Sequence, residues 1–358
     1  MKKRIIGIDV ARALAVIGMI IVNFKVVFGA NGGGVLKGFA QVLEGKAAAM
    51  FVVLAGIGLA LMTNTALKNQ DSIKIKKARQ RIFKRAMLLF VIGLSYISIW
   101  PADILHFYGV YMLIALWFIR KKPNFILLGV LGIIVLFPIL LLLIDYETAW
   151  NFPTLSYADF WTIKGFFRNL FFNGFHPVIP WAAFMLFGLW YGKQDLHNHQ
   201  FLKKSLWGAL LIFILTQITS AILLQTLGKG DPVVLDELIL VLGTSPMPPM
   251  PLYMINGISI SIFIISGCIL LSKKYENNTI IGALNKTGQL ALTFYVAHVV
   301  LGMGLVEVFG PLELGNYSIQ FSLFYALAFS LFCILFAVIW LDYKKAGPLE
   351  WIFRKLTN

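Results

Sequence analysis

A chain of 358 residues that is 59% hydrophobic and only 13% charged is too apolar for a water-soluble enzyme, which carries about 25% charged residues. Its 31 Lys and Arg against 16 Asp and Glu leave a net charge of +15. On so apolar a chain that excess reads first as membrane topology and only second as nucleic-acid binding.

Apolar stretches long enough to span a bilayer as helices fall at residues 8–29, 46–64, 84–101, 103–119, 124–144, 177–192, 204–227, 251–272, 287–309 and 318–341. The runs are continuous rather than alternating, which excludes a β-barrel. The expected fold is all-α, one polytopic transmembrane domain over residues 1–358 with about ten transmembrane helices and both termini cytoplasmic. Met1-Lys2-Lys3-Arg4 before an apolar run has the outline of a signal peptide. Asp9 and Arg12 interrupt its start and the run is long, so the segment is expected to stay as an uncleaved helix.

Placing the charges on this topology divides them sharply. The cytoplasmic side takes 25 of the 31 basic residues and 6 of the 16 acids, giving +19 inside and −4 outside. That contrast is what the enrichment of Lys and Arg in cytoplasmic loops produces, and the chain is expected to be a multi-pass protein of the cytoplasmic (inner) membrane.

Between the spans, the expected cytoplasmic loop 65–85 holds eight basic residues and one acid, Asp71. Orientation and attraction to anionic lipid explain such a cluster; binding of the phosphates of a nucleotide-bearing donor, through Lys77, Arg81 and Arg85, explains it equally. The outer segment 145–176 is dense in Trp, Tyr and Phe, and its run Asp159 to Asn173 is able to form an amphipathic interfacial helix. It reads either as an aromatic belt or as a stacking surface for a sugar or lipid acceptor. Residues 228–250 are rich in Pro and Gly and are expected to be an extended loop. Residues 342–358 form an amphipathic cytoplasmic tail. No internal repeat is visible.

Polar groups inside a membrane are costly and mark candidate functional positions. Asp9 and Arg12, spaced i,i+3, share a helix face and read either as a structural ion pair or as a site for the head of a cytoplasmic donor. Asn23 lies about three turns further along the same helix. It either bonds another helix or holds an acyl carbonyl. His106 follows Asp103 by three residues, so the carboxylate is able to orient the imidazole for general-base work, or the two form an interfacial pair. His176, before Pro177, is equally an interface residue or a base. His298, in the middle of an apolar helix, is the histidine most expected to face the bundle interior. His197 and His199 beside Asp195 have too few ligands nearby for a metal site, and Cys268 and Cys333 sit in apolar runs with no sign of a disulfide framework or a metal. No Walker A pattern or dinucleotide fingerprint is present.

Several strings together carry a family resemblance. Gly7-Ile8-Asp9-Val10-Ala11-Arg12-Ala13-Leu14-Ala15, running through Met19 to Asn23, resembles the first-helix pattern of heparan-α-glucosaminide N-acetyltransferase-like proteins. Asp103-Ile104-Leu105 with Tyr108-Gly109, Gly288-Gln289-Leu290-Ala291-Leu292-Thr293, and Gly347-Pro348-Leu349-Glu350-Trp351 with Arg354 resemble YeiB-like bacterial membrane proteins. The resemblance covers nearly the whole chain. It implies a multi-helix bundle in which acetyl-CoA, or another acyl-CoA, is donor and an amine or hydroxyl on the far side is acceptor. Asn23 matches the asparagine that ends the first-helix motif. The catalytic histidine of those enzymes lies in the next outer loop, which here reads Phe28-Gly29-Ala30-Asn31-Gly32-Gly33-Gly34. Another base must then serve, with His298, His106 and His176 as the replacements.

The expected function is therefore transfer of an acyl group, acetyl by resemblance, from cytoplasmic acyl-CoA to an extracytoplasmic glycan or lipid acceptor. Asp9, Arg12, Lys77, Arg81 and Arg85 would hold the donor, and no metal is involved. The alternative is a transporter or lipid-handling protein without catalysis. The expected partners are the lipid bilayer and the envelope acceptor, not nucleic acid, and the sequence is compatible with a homodimer.

Overall fold

The computed structural model describes residues 4–152, 154–228 and 231–357. Lys2, Lys3 and Lys229, which entered the charge division, lie outside the described residues. The first helices are α1 (Ile6–Phe28), α2 (Val35–Leu43), α3 (Lys46–Lys68), α4 (Ser72–Ser95), α5 (Leu105–Phe118) and α6 (Pro123–Leu143). A two-stranded antiparallel hairpin, β1 (Trp150–Asn151) and β2 (Ser156–Tyr157), follows. Next come α7 (Ile163–Arg168), which runs on as a π-helical turn Asn169–Asn173, then α8 (Val178–Gly192), α9 (His199–Gly228), α10 (Pro232–Leu242) and α11 (Pro251–Lys274). The chain closes with α12 (Thr279–Gln289), α13 (Ala291–Ala297), a second π turn His298–Met303, α14 (Gly304–Phe309), α15 (Ile319–Tyr343) and α16 (Pro348–Thr357).

Each of the expected apolar spans overlaps helix. Among the described residues, seven helical stretches are long and apolar enough to cross a membrane, and an eighth arises if the pair Ile163–Asn173 and Val178–Gly192, bent by 48°, counts as one broken span. Two expected spans fall to helices of a different kind. The first half of α4 carries the basic cluster, and α5 has 14 residues, about 21 Å of rise against a hydrocarbon core of about 30 Å. Exposed apolar side chains cover much of α6, α9 and α15, such as Leu142, Leu211 and Phe324, as expected of helices whose outer faces meet lipid. The protein is a multi-pass membrane protein.

Where the sequence suggested loops, the chain is partly helical. Residues 72–85, the basic cluster, form the first turns of α4, started by Asp71, whose side chain accepts from Lys74 N at 2.9 Å. The segment 228–250 is not one extended loop: α10 occupies its middle, with Asp231 accepting from Val233 N at 2.9 Å and Pro232 in the first turn. An N-cap Asp followed by Pro is a standard helix start, and it prevails over the Pro-rich composition around it.

The chain forms two compact units. The first comprises Met1–Phe51, His197–Trp207 and Ser261–Leu356; the second comprises Val52–Leu196, Gly208–Ile260 and Thr357–Asn358. In the first, α1 packs on α12 and α15. The α1–α12 approach is backbone-close: a Cβ on Gly288 would sit 1.8 Å from the Asp9 carbonyl oxygen. In the second, α4 packs on α5, and α8 packs on α5 and α6. Gly188 of α8 lies so near α3 that a Cβ there would sit 2.0 Å from the Val53 carbonyl oxygen. Small residues permit such contacts where lipid supplies no hydrophobic drive between helices.

Candidate functional site

The first unit brings Asn23 and His298 together. Asn23 Nδ2 lies 2.9 Å from His298 Nε2. In this orientation the amide donates and Nε2 accepts, which leaves the ring proton on Nδ1. The imidazole is fully buried, with Tyr295 edge-on at 5.2 Å and Phe24 at 6.1 Å. His298 is the first residue of the π turn that follows α13. Such turns rotate the side chains after them out of helical register and recur at functional sites.

The elements that carry this pair are fixed from both ends. The start of α13 is capped from α16: Glu350 Oε1 accepts from Leu292 N at 2.8 Å and Thr293 N at 3.1 Å, and Oε2 accepts from Thr293 Oγ1 at 2.6 Å. Leu349 N in turn donates to Thr293 Oγ1 at 3.1 Å. Two of the strings that carry the family resemblance therefore meet in space as one helix cap. Beyond Asn23, Lys25 pairs with Glu44 at the end of α2. The glycine-rich loop after α1 is pinned to the start of α15, with Ile319 N donating to Asn31 O at 3.0 Å and Ser322 Oγ to Gly29 O at 2.7 Å. That loop supplies anchorage here, and the imidazole near Asn23 arrives from a different part of the chain.

At the other end of α1, Asp9 is 2% exposed and both its oxygens are engaged. Oδ1 accepts from Arg12 Nη1 at 2.7 Å, the expected i,i+3 contact, and Oδ2 from Arg4 Nε at 2.6 Å. Two guanidiniums against one carboxylate leave the cluster with a surplus positive charge. Arg4 was not singled out in the sequence, because a cation beside a terminus looks like a topology signal.

The second unit holds Asp103, His106 and His176. Asp103 precedes α5 rather than lying on it, and acts as its cap: Oδ2 accepts from Leu105 N at 2.7 Å. The same oxygen is 3.4 Å from His106 Nδ1, and Oδ1 accepts from Tyr96 OH at 2.5 Å. Asp103 and His106 are buried, and the His106 Nε2 atom has no hydrogen-bond partner among the described residues. This is a carboxylate-oriented imidazole with its far nitrogen uncommitted, the arrangement a general base needs. His176 stands edge-on to Trp181, ring centroids 4.6 Å apart, and its carbonyl accepts from Tyr111 OH. Its Nδ1 is likewise buried without a partner among the described residues.

The aromatic segment of this unit is organised by Asn173, which was not singled out. Its side chain donates to Tyr146 O at 2.9 Å and Thr148 O at 3.0 Å and accepts from Tyr157 OH at 2.7 Å. Of the basic residues expected to hold a donor, Lys77 and Arg81 are exposed on α4, whereas Arg85 is half-buried and donates to Thr357 Oγ1 at 3.4 Å.

Residues 4–225 match the catalytic domain of heparan-alpha-glucosaminide N-acetyltransferase. The chain belongs to that family. Residues 190–358 also match a family of proteins of unknown function, DUF418, the YeiB-like group. No curated protein matches the chain. The N-acetyltransferase match spans α1 through most of α9 and so includes Asn23, Asp103, His106 and His176, while His298 and Glu350 lie in the DUF418 match. The Asn23–His298 contact joins a residue of one family region to a residue of the other. Membership makes the protein a multi-pass member of a membrane acyltransferase family.

Proposed function

We propose that the protein transfers an acyl group, acetyl by family, from cytoplasmic acyl-CoA to a hydroxyl or amine of an extracytoplasmic glycan or lipid, and that it resides in the cytoplasmic membrane. The observation that carries this reading is the 2.9 Å contact between Asn23 and His298. In it, the asparagine of the family's first-helix pattern finds a buried imidazole despite the absence of a histidine from the loop that follows.

The chemistry assigns each side chain one task. His298 Nε2 takes the proton from the acceptor O–H or N–H as that atom attacks the thioester carbonyl carbon. Asn23 Nδ2, released from the imidazole when substrate enters, donates to the oxygen on which charge develops. A donor of this kind contributes about 3–4 kcal/mol to the transition state. The tetrahedral species collapses with loss of the C–S bond, and the imidazolium returns its proton to the departing thiolate. Direct attack needs no acyl-enzyme, and the two buried cysteines offer no accessible nucleophile. The surplus positive charge around Asp9 in the first unit, and separately the exposed Lys77 and Arg81 of α4 in the second, each favour the anionic phosphates of the donor.

A second imidazole competes for the role of base: His106, held by Asp103, has its Nε2 uncommitted. The test is thioester turnover by purified protein supplied with acetyl-CoA and an amino-sugar or polyol acceptor, read as released thiol. The reading expects acceptor-dependent thiol release that His298→Ala removes. Release that survives this change but is lost in His106→Ala would transfer the base to the second unit. No binding of acetyl-CoA at millimolar concentration would overturn acyl transfer altogether.

A further inference from the structure

Within the second unit a pocket of about 640 Å³ lies where α4 begins and α5 ends. Specific ligand sites commonly occupy about 300–1,000 Å³. Its polar lining is Gln70, Ser72, Lys76, Arg79, Gln80 and Arg120. Lys76, Arg79 and Gln80 stand at i, i+3 and i+4 on α4 and therefore share one face. Arg120 comes from the turn after α5, and Arg79 Nη1 ties the two helices by donating to Leu116 O at 3.4 Å. Gln70 sits in a left-handed conformation, φ 51°, in the turn that leads into α4.

The pocket's charge is uncompensated. Among the described residues, Lys76, Arg79 and Arg120 make no ion pair, and the lining holds no carboxylate. The adjacent acid, Asp71, is engaged elsewhere. It accepts from Lys74 N at 2.9 Å and pairs with Lys74 Nζ at 2.8 Å, and these bonds hold its carboxyl below the ordinary range. Three like charges gathered around one concavity repel one another unless an anion joins them. A topology signal explains basic residues on this side of the chain, but it places no demand that cations from two separate segments face a common cavity beside neutral amide and hydroxyl donors. Guanidinium forks suit phosphate oxygens, and a lysine adds a mobile point charge.

We propose that this pocket binds a phosphate ester, with Lys76, Arg79 and Arg120 as its cationic contacts and Gln70, Ser72 and Gln80 as neutral donors. Such a group arrives either on a soluble nucleotide or as the headgroup of an anionic phospholipid. In its nucleotide arm this inference rests on the acyl-transfer reading, whose donor carries such a phosphate ester; in its headgroup arm it does not, and binding of either probe is read without turnover, so the two fail separately.

The test uses the full-length protein in phosphatidylcholine nanodiscs, with adenosine 3′,5′-bisphosphate as the soluble probe. Phosphatidylglycerol doped into the same discs is the lipid probe. Native mass spectrometry reads both adducts, and calorimetry gives the nucleotide affinity. The variant Lys76→Gln/Arg120→Gln changes two exposed side chains; Lys122→Gln/Lys203→Gln removes the same charge at exposed residues that do not line the pocket. The proposal expects at least one probe to bind the wild type and to bind the pocket variant at least tenfold more weakly, with the control within twofold. Loss of the nucleotide alone identifies a soluble ester, and loss of retained phosphatidylglycerol alone identifies a headgroup. If the double variant unfolds at a lower temperature than wild type, Arg120→Gln is read in its place, with a threefold weakening expected. The proposal is overturned if neither probe binds, if the pocket variants bind as the wild type does, or if the control weakens equally.

Discussion

Asn23 and His298 are separated by 275 positions in the chain and by 2.9 Å between Nδ2 and Nε2. The contact occupies both groups in the resting protein: the amide keeps the imidazole acceptor available in one tautomer, and the imidazole keeps the amide from being a buried donor without a partner. A substrate that enters between them inherits an acceptor on one side and a donor on the other. That pair of complementary groups is the minimum a direct acyl transfer requires.

The first prediction concerns rate. Removing a positioned base costs on the order of 100-fold or more, and removing one oxyanion donor about 100- to 1,000-fold. His298→Ala and Asn23→Ala are each expected to lower thiol release from acetyl-CoA by at least that factor while leaving the unfolding temperature within a few degrees. Turnover within threefold of wild type in both variants would remove this pair from the chemistry.

The second concerns the α1–α12 contact. A Cβ at Gly288 would lie 1.8 Å from Asp9 O, so Gly288→Ala forces the two helices apart. Overpacking of this kind costs about 1–3 kcal/mol or more. Gly282, on the same helix, has nothing within 4 Å, and Gly282→Ala should stabilise by up to about 1 kcal/mol through helix propensity alone. Thermal unfolding in detergent should move in opposite directions for the two substitutions.

Glu350 supports a third prediction. Its carboxylate accepts from two backbone N–H groups and one hydroxyl at the start of α13. Glu350→Ala leaves those donors without a partner, at a cost of about 1–3 kcal/mol for each one that stays buried. Because α13 leads directly into His298, hydrogen exchange at 291–297 should rise and turnover should fall together. Exchange unchanged from wild type would show that another group caps this helix.

A fourth prediction follows from Asp71, whose carboxyl is held below its ordinary value first by the hydrogen bond from the Lys74 side chain and then by that from Lys74 N. A carboxylate lowered by folding adds stability that is complete above its unfolded value of about 4 and lost as pH falls through the lowered folded value. Protection of the first turn of α4 against hydrogen exchange, taken relative to the intrinsic rate at each pH, should therefore fall below about pH 4 in the wild type. Asp71→Asn keeps the cap without the titration, so its protection in that turn should lose most of this acid dependence.

Asn173 offers a fifth. It is fully buried and satisfies three groups of the aromatic segment. Asn173→Leu keeps the volume but leaves two carbonyls and a phenol without their partner. Destabilisation of about 2–3 kcal/mol is expected, by the cost of buried polar groups left unpaired. Intrinsic tryptophan fluorescence should report it locally, since Trp150 Nε1 donates to the Asn173 carbonyl at 2.6 Å.

The nearly all-helical membrane architecture and the Asp9–Arg12 pair were legible in the sequence. An apolar run of bilayer length has one outcome in lipid, where every backbone group must bond internally, and i,i+3 neighbours on a helix are neighbours in any fold. Asn23, His106 and His298 were legible as costly polar groups in apolar surroundings. The helix α10 was readable from Asp231-Pro232 but was obscured by the prolines that follow. The Glu350 cap and the Lys76–Arg79–Arg120 pocket had no local signal, because each joins segments far apart in the chain or selects a few cations from a larger basic cluster.

Composition and periodicity thus determined that this chain lives in a membrane, which long apolar segments are helical and which side chains are too polar to be there without a reason. They are local properties, set by the solvent and by the geometry of a single helix. Which of five histidines meets Asn23, which acid closes the start of α13 and which three cations share a cavity were decided by tertiary packing. Those choices depend on how helices approach one another, at contacts as close as Gly288 against Asp9, and no periodicity within one segment encodes the face of another.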